Sequence, residues 1–217
     1  ALGAWLGWIF LHHRYGDPAL LSFLLAILVL ASIGVESRMH NDVIGVVSDS
    51  IDIRATPRAT WQTIVSLDRV PQPHDWIYRV GVACPQRTRI VKPAVGGLRV
   101  CTLSTGALIE RIDVWSPERM LRWRSVSVPP PMREMNPFRA DVDPPHLHRD
   151  FYDSPAGEFA LSPIGNRFTT LTRRTWFRHR LYPAWYWNFW CELAISRIHR
   201  TVLEQVRDAA ERTKMHG

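Results

Sequence analysis

The segment VVSDSIDIRATPRATWQTIVSL, residues 46–67, changes its period half-way along. Val47, Ile51 and Ile53 stand against polar Ser50, Asp52 and Arg54, the two-residue alternation of a half-buried strand. Thr56 and Pro57 then open a helix. A threonine hydroxyl accepts from free N–H groups of a first turn, and proline costs nothing at the first helical position. The pattern predicts a helix from residue 57 to about 67 that buries Trp61, Ile64 and Val65. A strand thus feeds directly into a short helix.

Working outward, WIYRVGVACP (76–85), GLRVCTLSTG (97–106), ALIERIDVWS (107–116) and MLRWRSVSVP (120–129) read as strands. They are broken at Gly96 and Gly97, at 104–106 and at 116–118. Such short connections force antiparallel neighbours. After a proline-rich excursion over 129–155, GEFALSPI (157–164) and RFTTLTRRTWFRHR (167–180) flank a Gly165-Asn166 turn and form another hairpin. The last segment, PAWYWNFWCELAISRIHRTVLEQVRDAAERT (183–213), carries Trp187, Cys191, Ala194, Ile195, Ile198, Val202, Val206 and Ala209 at spacings of three and four. That is one long amphipathic helix with a single face to bury.

Ahead of the folded part, PALLSFLLAILVLASIGV (18–35) contains no charge and nearly spans a hydrocarbon core of about 30 Å as a helix. The earlier run ALGAWLGWIFL (1–11) is too short to cross alone. It reads as the end of a preceding span or an interfacial anchor, with Trp5 and Trp8 at headgroup depth and HHRYGD (12–17) as the turn of a helical hairpin. A cleaved secretory signal and a buried soluble helix are the competing readings; the first lacks a charged n-region. The expected organisation is a membrane anchor at 1–37, a linker at 38–45 and a folded domain at 46–217. The expected location is the bacterial inner membrane with the domain in the cytoplasm, though the flanking charges hardly choose a side.

The chain has 217 residues, 46% of them hydrophobic, enough for a core of ordinary size. Its formal charge of +7 rests on arginine, since Lys92 and Lys214 are the only lysines. The arginines are scattered through strands without forming a stripe or a known module, which argues against nucleic acid and suits anionic lipid headgroups. Cys84, Cys101 and Cys191 are odd in number and lack C-x-x-C spacing, so no disulfide framework or zinc knuckle is expected.

Strand, short helix, antiparallel meander and long terminal helix is an order that resembles the START-like helix-grip superfamily, also called the polyketide cyclase/dehydrase or SRPBCC group. The segment IDIRATPRATWQTIVSLDR (51–69) is similar to that group's opening, where a strand ends in an Ala-Thr-Pro turn. PPHLH (144–148), GEFALSP (157–163), TRRTWFRHRLYPAWYW (172–187) and SRIHRTVLEQV (196–206) resemble a membrane-tethered bacterial branch of it. The resemblance covers roughly 46–210. It implies an α+β fold in which a curved antiparallel sheet of six or seven strands grips the C-terminal helix, with a cavity between them.

Ten tryptophans are available to fill or line such a cavity. Expected pocket residues are Trp61, Trp76, Tyr78, Trp115, Trp123, Phe159, Arg173, Trp176, Trp187, Trp190 and Cys191, with Phe138, Leu147, Phe151 and Tyr152 anchoring a lid loop. His146, His148 and Asp150 alternate in PPHLHRD, a spacing that suits two imidazoles and a carboxylate on a metal. Flanking prolines predict an irregular loop instead, so neither a metal nor another cofactor is expected. His146, His148 and Glu158 are the acid/base candidates, with Glu134, Tyr152 and Arg173 as other polar groups near a cavity. Two functions follow. One is a membrane-anchored binder or carrier of a hydrophobic small molecule such as a lipid, a quinone or a polyketide-like ring. The other is a cyclase or dehydratase acting on such a substrate by acid/base chemistry.

Overall fold

A computed structural model describes residues 18–39, 42–68, 75–133 and 150–215. Helix α1, Pro18–Met39, keeps its apolar side chains exposed. Its stretch Ala19–Glu36 has a mean hydropathy of 2.4 and none of it is buried against the rest of the chain. Eighteen residues rise about 27 Å. The helix is therefore long and apolar enough to cross a membrane, a property that signal sequences share, and it is not the buried helix of a soluble core. The proposed first arm of the hairpin lies outside the described residues.

Strand β1 (Val43–Ile53) runs into α2 (Pro57–Ser66) through the expected junction. Thr56 is extended, and its Oγ1 accepts from the Ala59 N–H at 3.3 Å. Helix α1 ends at Met39, so only 40–42 separate helix and strand where the sequence suggested a linker over 38–45. The remaining elements are α3 (Trp76–Arg79), β2 (Pro85–Ile90), β3 (Leu98–Leu103), β4 (Gly106–Ser116), β5 (Met120–Ser127), β6 (Tyr152–Ile164), β7 (Phe168–His179) and α4 (Ala184–Met215). All seven strands form one antiparallel sheet in the order β1-β7-β6-β5-β4-β3-β2. The sheet curls as a half-barrel, with α4 lying over β1 and β7.

Three elements differ from the sequence expectation. WIYR is one helical turn, not a strand, because the Asp75 carboxylate accepts from the Ile77 N–H at 3.3 Å and starts a turn. Its exit is Gly81, at φ +98°, where an added Cβ would meet the Arg133 carbonyl oxygen at 2.6 Å. That close approach lets Arg133 N–H donate to Gly81 O and fixes 131–133 beside the turn. The strand the sequence placed at 76–85 is instead β2, built from PQRTRI. Finally, β6 begins at Tyr152, so the described chain re-enters the sheet before Pro155, where the loop was expected to end.

The core joins Ile53 of β1, Trp61 and Ile64 of α2, Ile112, Leu121, Phe159, Leu161 and Leu171 of the sheet, and Val202, Leu203 and Val206 of α4. A second cluster of Val47, Phe177 and Ile195 seals the other end, with Tyr152 and Cys191 packed against it. Each large aliphatic or aromatic side chain buried this way contributes about 1.5–3 kcal/mol.

Candidate functional site

Strand alternation decides which side chains enter the cup. On β7 they are Thr169, Leu171, Arg173, Thr175, Phe177 and His179; Gly157, Phe159 and Leu161 follow on β6, Leu121 and Trp123 on β5, Glu110 and Ile112 on β4, and Arg99 and Cys101 on β3. The end nearest α2 is solid. Trp61 and Trp115 meet edge to face with centroids 5.1 Å apart, and the aliphatic core lies around them.

The middle of the cup is charged. Arg99 and Glu110 are register partners on β3 and β4, both buried, and their side chains form a close ion pair. The Arg99 guanidinium stacks 4.4 Å from the Trp123 ring centroid. Desolvation pushes the Glu110 carboxyl up although Arg99 opposes it; Arg99 itself is held above its usual value because Glu110 outweighs the same burial. Gly157 makes this packing possible. A Cβ there would lie 2.8–3.0 Å from three atoms of the Trp123 indole. Gly157→Ala should therefore cost about 1–3 kcal/mol in chemical denaturation and disturb the near-UV signal of Trp123; an unchanged midpoint would show that the indole has room to move.

Arg173, one layer over on β7, sits between Asp49 of β1 and Phe159 of β6 in register. Its guanidinium carbon lies 5.2 Å from the Phe159 centroid. Burial and the neighbouring Arg99 charge pull its pKa down to about 10. Its Nε is buried with no hydrogen-bond partner among the described residues.

Beside it runs a chain of hydrogen bonds joining sheet to helix. Thr175 Oγ1 lies 2.7 Å from His199 Nε2, His199 Nδ1 lies 2.8 Å from Asp49 Oδ2, and Ser196 Oγ donates to Asp49 Oδ1 at 2.8 Å. The hydroxyl, imidazole and carboxylate follow the order of an acyl-transfer triad. Their surroundings do not suit that chemistry. His199 is fully buried, and desolvation with the Arg173 charge pushes its pKa down to about 3, so it stays neutral where a catalytic base must take a proton. The chain pins α4 to the sheet.

An opening of about 240 Å³ lies between α3, the segment after it, the β3–β4 turn and residues 131–133. Its walls are Tyr78, Gly81, Val82, Cys84, Gln86, Ser104 and Arg133. Tyr78 is the inner wall. Its hydroxyl donates to Thr201 of α4 at 3.2 Å, and burial raises its pKa to about 12, so it is a neutral donor within electrostatic reach of Arg173. Burial likewise pushes the Cys84 thiol up.

Of the expected pocket residues, Trp61, Trp115, Trp123, Phe159 and Arg173 face the cup, and Tyr78 lines the opening. Trp176 lies on the opposite face of the sheet, where Arg122 stacks on it at 5.7 Å. Glu158 shares that outer face. Arg122 (Nη2, 2.7 Å) and Arg174 (Nη1, 2.5 Å) clamp its carboxylate from the neighbouring strands, so this acid/base candidate is spent on holding the sheet together. Trp76 is exposed at the start of α3. Cys191 packs with Tyr152 in the second core cluster, so Tyr152 belongs to the sheet and not to a lid. Trp187 donates from Nε1 to the Tyr182 carbonyl at 3.1 Å, and Trp190 is partly exposed in a ring cluster with Tyr186 and Phe189. Phe151 is exposed and next to the exposed Asp150. Glu134, Phe138, His146, Leu147 and His148 lie outside the described residues. Sequence reasoning missed Arg99, Glu110, Asp49 and His199. A signal for the first two existed: counting four residues back from Leu103 and four on from Gly106 sets opposite charges face to face.

This curled sheet around a C-terminal helix is the helix-grip fold. Among solved structures, the chain is similar to the Zhui aromatase/cyclase from Streptomyces sp. R1128, with a TM-score of 0.52 and 13% identity over 78% of this chain and 95% of that one. It is similar to a norcoclaurine synthase point mutant from Thalictrum flavum in complex with a transition-state analogue, with a TM-score of 0.50 and 10% identity over 80% and 98% of the two chains. It also matches the di-domain ARO/CYC StfQ from the steffimycin biosynthetic pathway, with a TM-score of 0.53 and 12% identity over 93% of this chain and 62% of that one. Likeness at these identities is one of fold. No family model and no curated protein matches the sequence.

Proposed function

We propose that the chain is a membrane-anchored binding domain that takes up a small, largely apolar molecule through the opening beside Tyr78. The observation that carries this reading is the opening itself, walled by Tyr78, Val82, Cys84 and the backbone of the β3–β4 turn, with Tyr78 reaching back to Thr201 of α4. At about 240 Å³ it is just below the range usual for drug-sized ligands, about 300–1,000 Å³, so it suits a small ring or one end of a longer molecule. The fold supports the reading, since its solved examples include proteins named as cyclases and a synthase holding a ligand analogue.

The anchor is supported by the way α1 meets the domain. Glu36, at the end of its apolar stretch, accepts from the Ala184 N–H at 2.8 Å and so ties the helix end to the start of α4. The first turns of α4 expose Trp185, Tyr186, Phe189 and Trp190, rings packed edge to face with one another. Aromatic rings clustered at the end of an apolar span are what headgroup depth favours. A domain held there meets apolar molecules at far higher local concentration than in water.

The second reading, a cyclase or dehydratase working on a polyketide-like substrate, needs a group free to exchange a proton with it. Among the described residues His199 is locked and neutral, Glu110 is paired and Glu158 faces outward. Binding without chemistry is therefore the favoured function. Native mass spectrometry of the detergent-extracted full-length protein should reveal a retained small molecule that Tyr78→Trp, which fills the opening, releases. Recovery of the same mass from the variant would refute this site.

A further inference from the structure

We propose that the end of the cup carrying the opening is also a lipid-docking face, so that the domain rests on the bilayer and its ligand enters from the lipid. This inference rests on the anchored binding function proposed above. It adds a second membrane contact, made by the domain itself, and a route of entry.

Strand directions fix which end this is. β1 starts at Val43 and β6 at Tyr152, both opposite His179, the last residue of β7. β5 runs towards the same end, where its Ser127 lies opposite Ile109 near the start of β4. β3 therefore finishes there at Leu103, opposite Gly106, and Pro85 opens β2 against Leu103. Helix α4 also begins there, since Cys191 and Ile195 pack with Val47 and Phe177, while Val206 and Ala210 join the core around Ile53. Cys84, Gln86 and Ser104, which line the opening, sit at these strand ends. The exit of α1 is held at the same place by the bond from the Ala184 N–H to Glu36. From Met39 to Val43 the chain can reach at most about 14 Å. The opening, the start of α4 and the end of the apolar span thus share one end of the half-barrel.

That end exposes large apolar side chains. Trp185, Tyr186, Phe189 and Trp190 share the side of α4 opposite Cys191 and Ile195, with Trp185 65% and Phe189 58% exposed. Ile44, on the outer face of β1, is 73% exposed. A contiguous patch of this kind marks an interaction surface, and tryptophan and tyrosine concentrate at headgroup depth. The bilayer is the occupant that the geometry selects, because α1 brings it to within one hydrogen bond of the patch. Arg178 and Arg180 nearby are balanced by Asp42 and Asp153, so the contact draws on ring burial more than on anionic headgroups.

The test uses the full chain in phosphatidylcholine nanodiscs, with and without bromine on the upper acyl chain. Trp185→Phe combined with Trp190→Phe should remove part of the tryptophan emission that brominated lipid quenches. Cys84, a free thiol in the opening, reports the route. In the same discs, N-phenylmaleimide should gain on a sulfonated maleimide at Cys84 by about tenfold or more over their ratio in Trp185→Asp combined with Phe189→Asp, because lipid concentrates the apolar reagent. Phe168→Asp, at the far hairpin, should leave that ratio unchanged, and peptide mass spectrometry separates Cys84 from Cys191. Unchanged lipid quenching in the phenylalanine variant overturns the docking face. Equal reagent ratios in the parent and the aspartate variant overturn entry from lipid. A dimer in detergent that the aspartate variant dissociates assigns the rings to a second copy and overturns the inference too. A chain that does not enter the discs removes the anchor and the inference together. Neither readout involves bound ligand, so both holding while native mass spectrometry finds no retained molecule would end the binding function and leave the docking face in place.

Discussion

Glu110→Ala lowers the stability of the full-length protein by about 3–5 kcal/mol, the usual consequence of removing one member of a buried ion pair. The carboxylate is almost fully buried and pairs with an equally buried Arg99. Without it, the Arg99 and Arg173 charges, close enough for each to bear on the other, lose the carboxylate that both act on. Arginine cannot relieve this by losing a proton, so the cost falls on folding. Urea denaturation in detergent, followed by tryptophan fluorescence, measures the loss. The double variant Arg99→Met with Glu110→Leu should recover most of it, because an apolar pair of similar volume replaces both charges at little cost. A single variant within about 1 kcal/mol of the parent would mean that water reaches the pair.

Acidification from pH 6.5 to pH 5 weakens the fold by about 2 kcal/mol through His199 alone. Its folded-state pKa is depressed, to about 3 from 6.5, by burial first and the Arg173 charge second, with Asp49 acting in the opposite sense. Below pH 6.5 the unfolded chain takes up a proton on this imidazole that the folded chain refuses, so stability falls as pH drops through that value and continues to fall towards the depressed one. The slope grows from about 0.7 kcal/mol per pH unit at pH 6.5 to about 1.4 well below it. His179, also buried and depressed by desolvation, adds loss of the same sign. Denaturation midpoints at half-unit intervals give the slope. His199→Gln should make it clearly shallower, since a neutral amide keeps a donor and an acceptor near Thr175 and Asp49 without titrating. An identical slope in parent and variant would assign the acid sensitivity to other groups.

Local chemistry was written plainly in the chain. The alternation from Val47 to Ile53, the Thr56-Pro57 junction, the short breaks after Leu103, Ser116 and Ile164 and the periodic face of α4 each depend on residues a few positions apart, and each appears where the sequence put it. The outlier among them, WIYR, turned on a single aspartate cap, a local feature that the apolar look of the segment concealed.

The site was legible only in part, because period two tells which residues share a face but not which face is buried. Arg99 and Glu110 sit among valines, leucines and isoleucines that looked better suited to the interior, yet the charged pair points inward, since each supplies the other's partner across the sheet. Glu158 and Trp176 show the reverse: both read as cavity residues, and both lie outside, under arginines contributed by neighbouring strands. His199 interrupts the apolar stripe of α4 at a position whose acceptor, Asp49, is 150 residues away.

By itself the sequence determined most of the elements, their order and the apolar span ahead of them, all of which follow from backbone preference and hydrophobic period, while the grip of sheet on helix was what the family resemblance implied. Tertiary structure alone decided that the cup holds a charged layer and an arginine whose Nε has no partner among the described residues. Whether a buried charge is tolerable depends on which partner the register brings within hydrogen-bond distance, and that register is a property of the assembled sheet, not of any one strand.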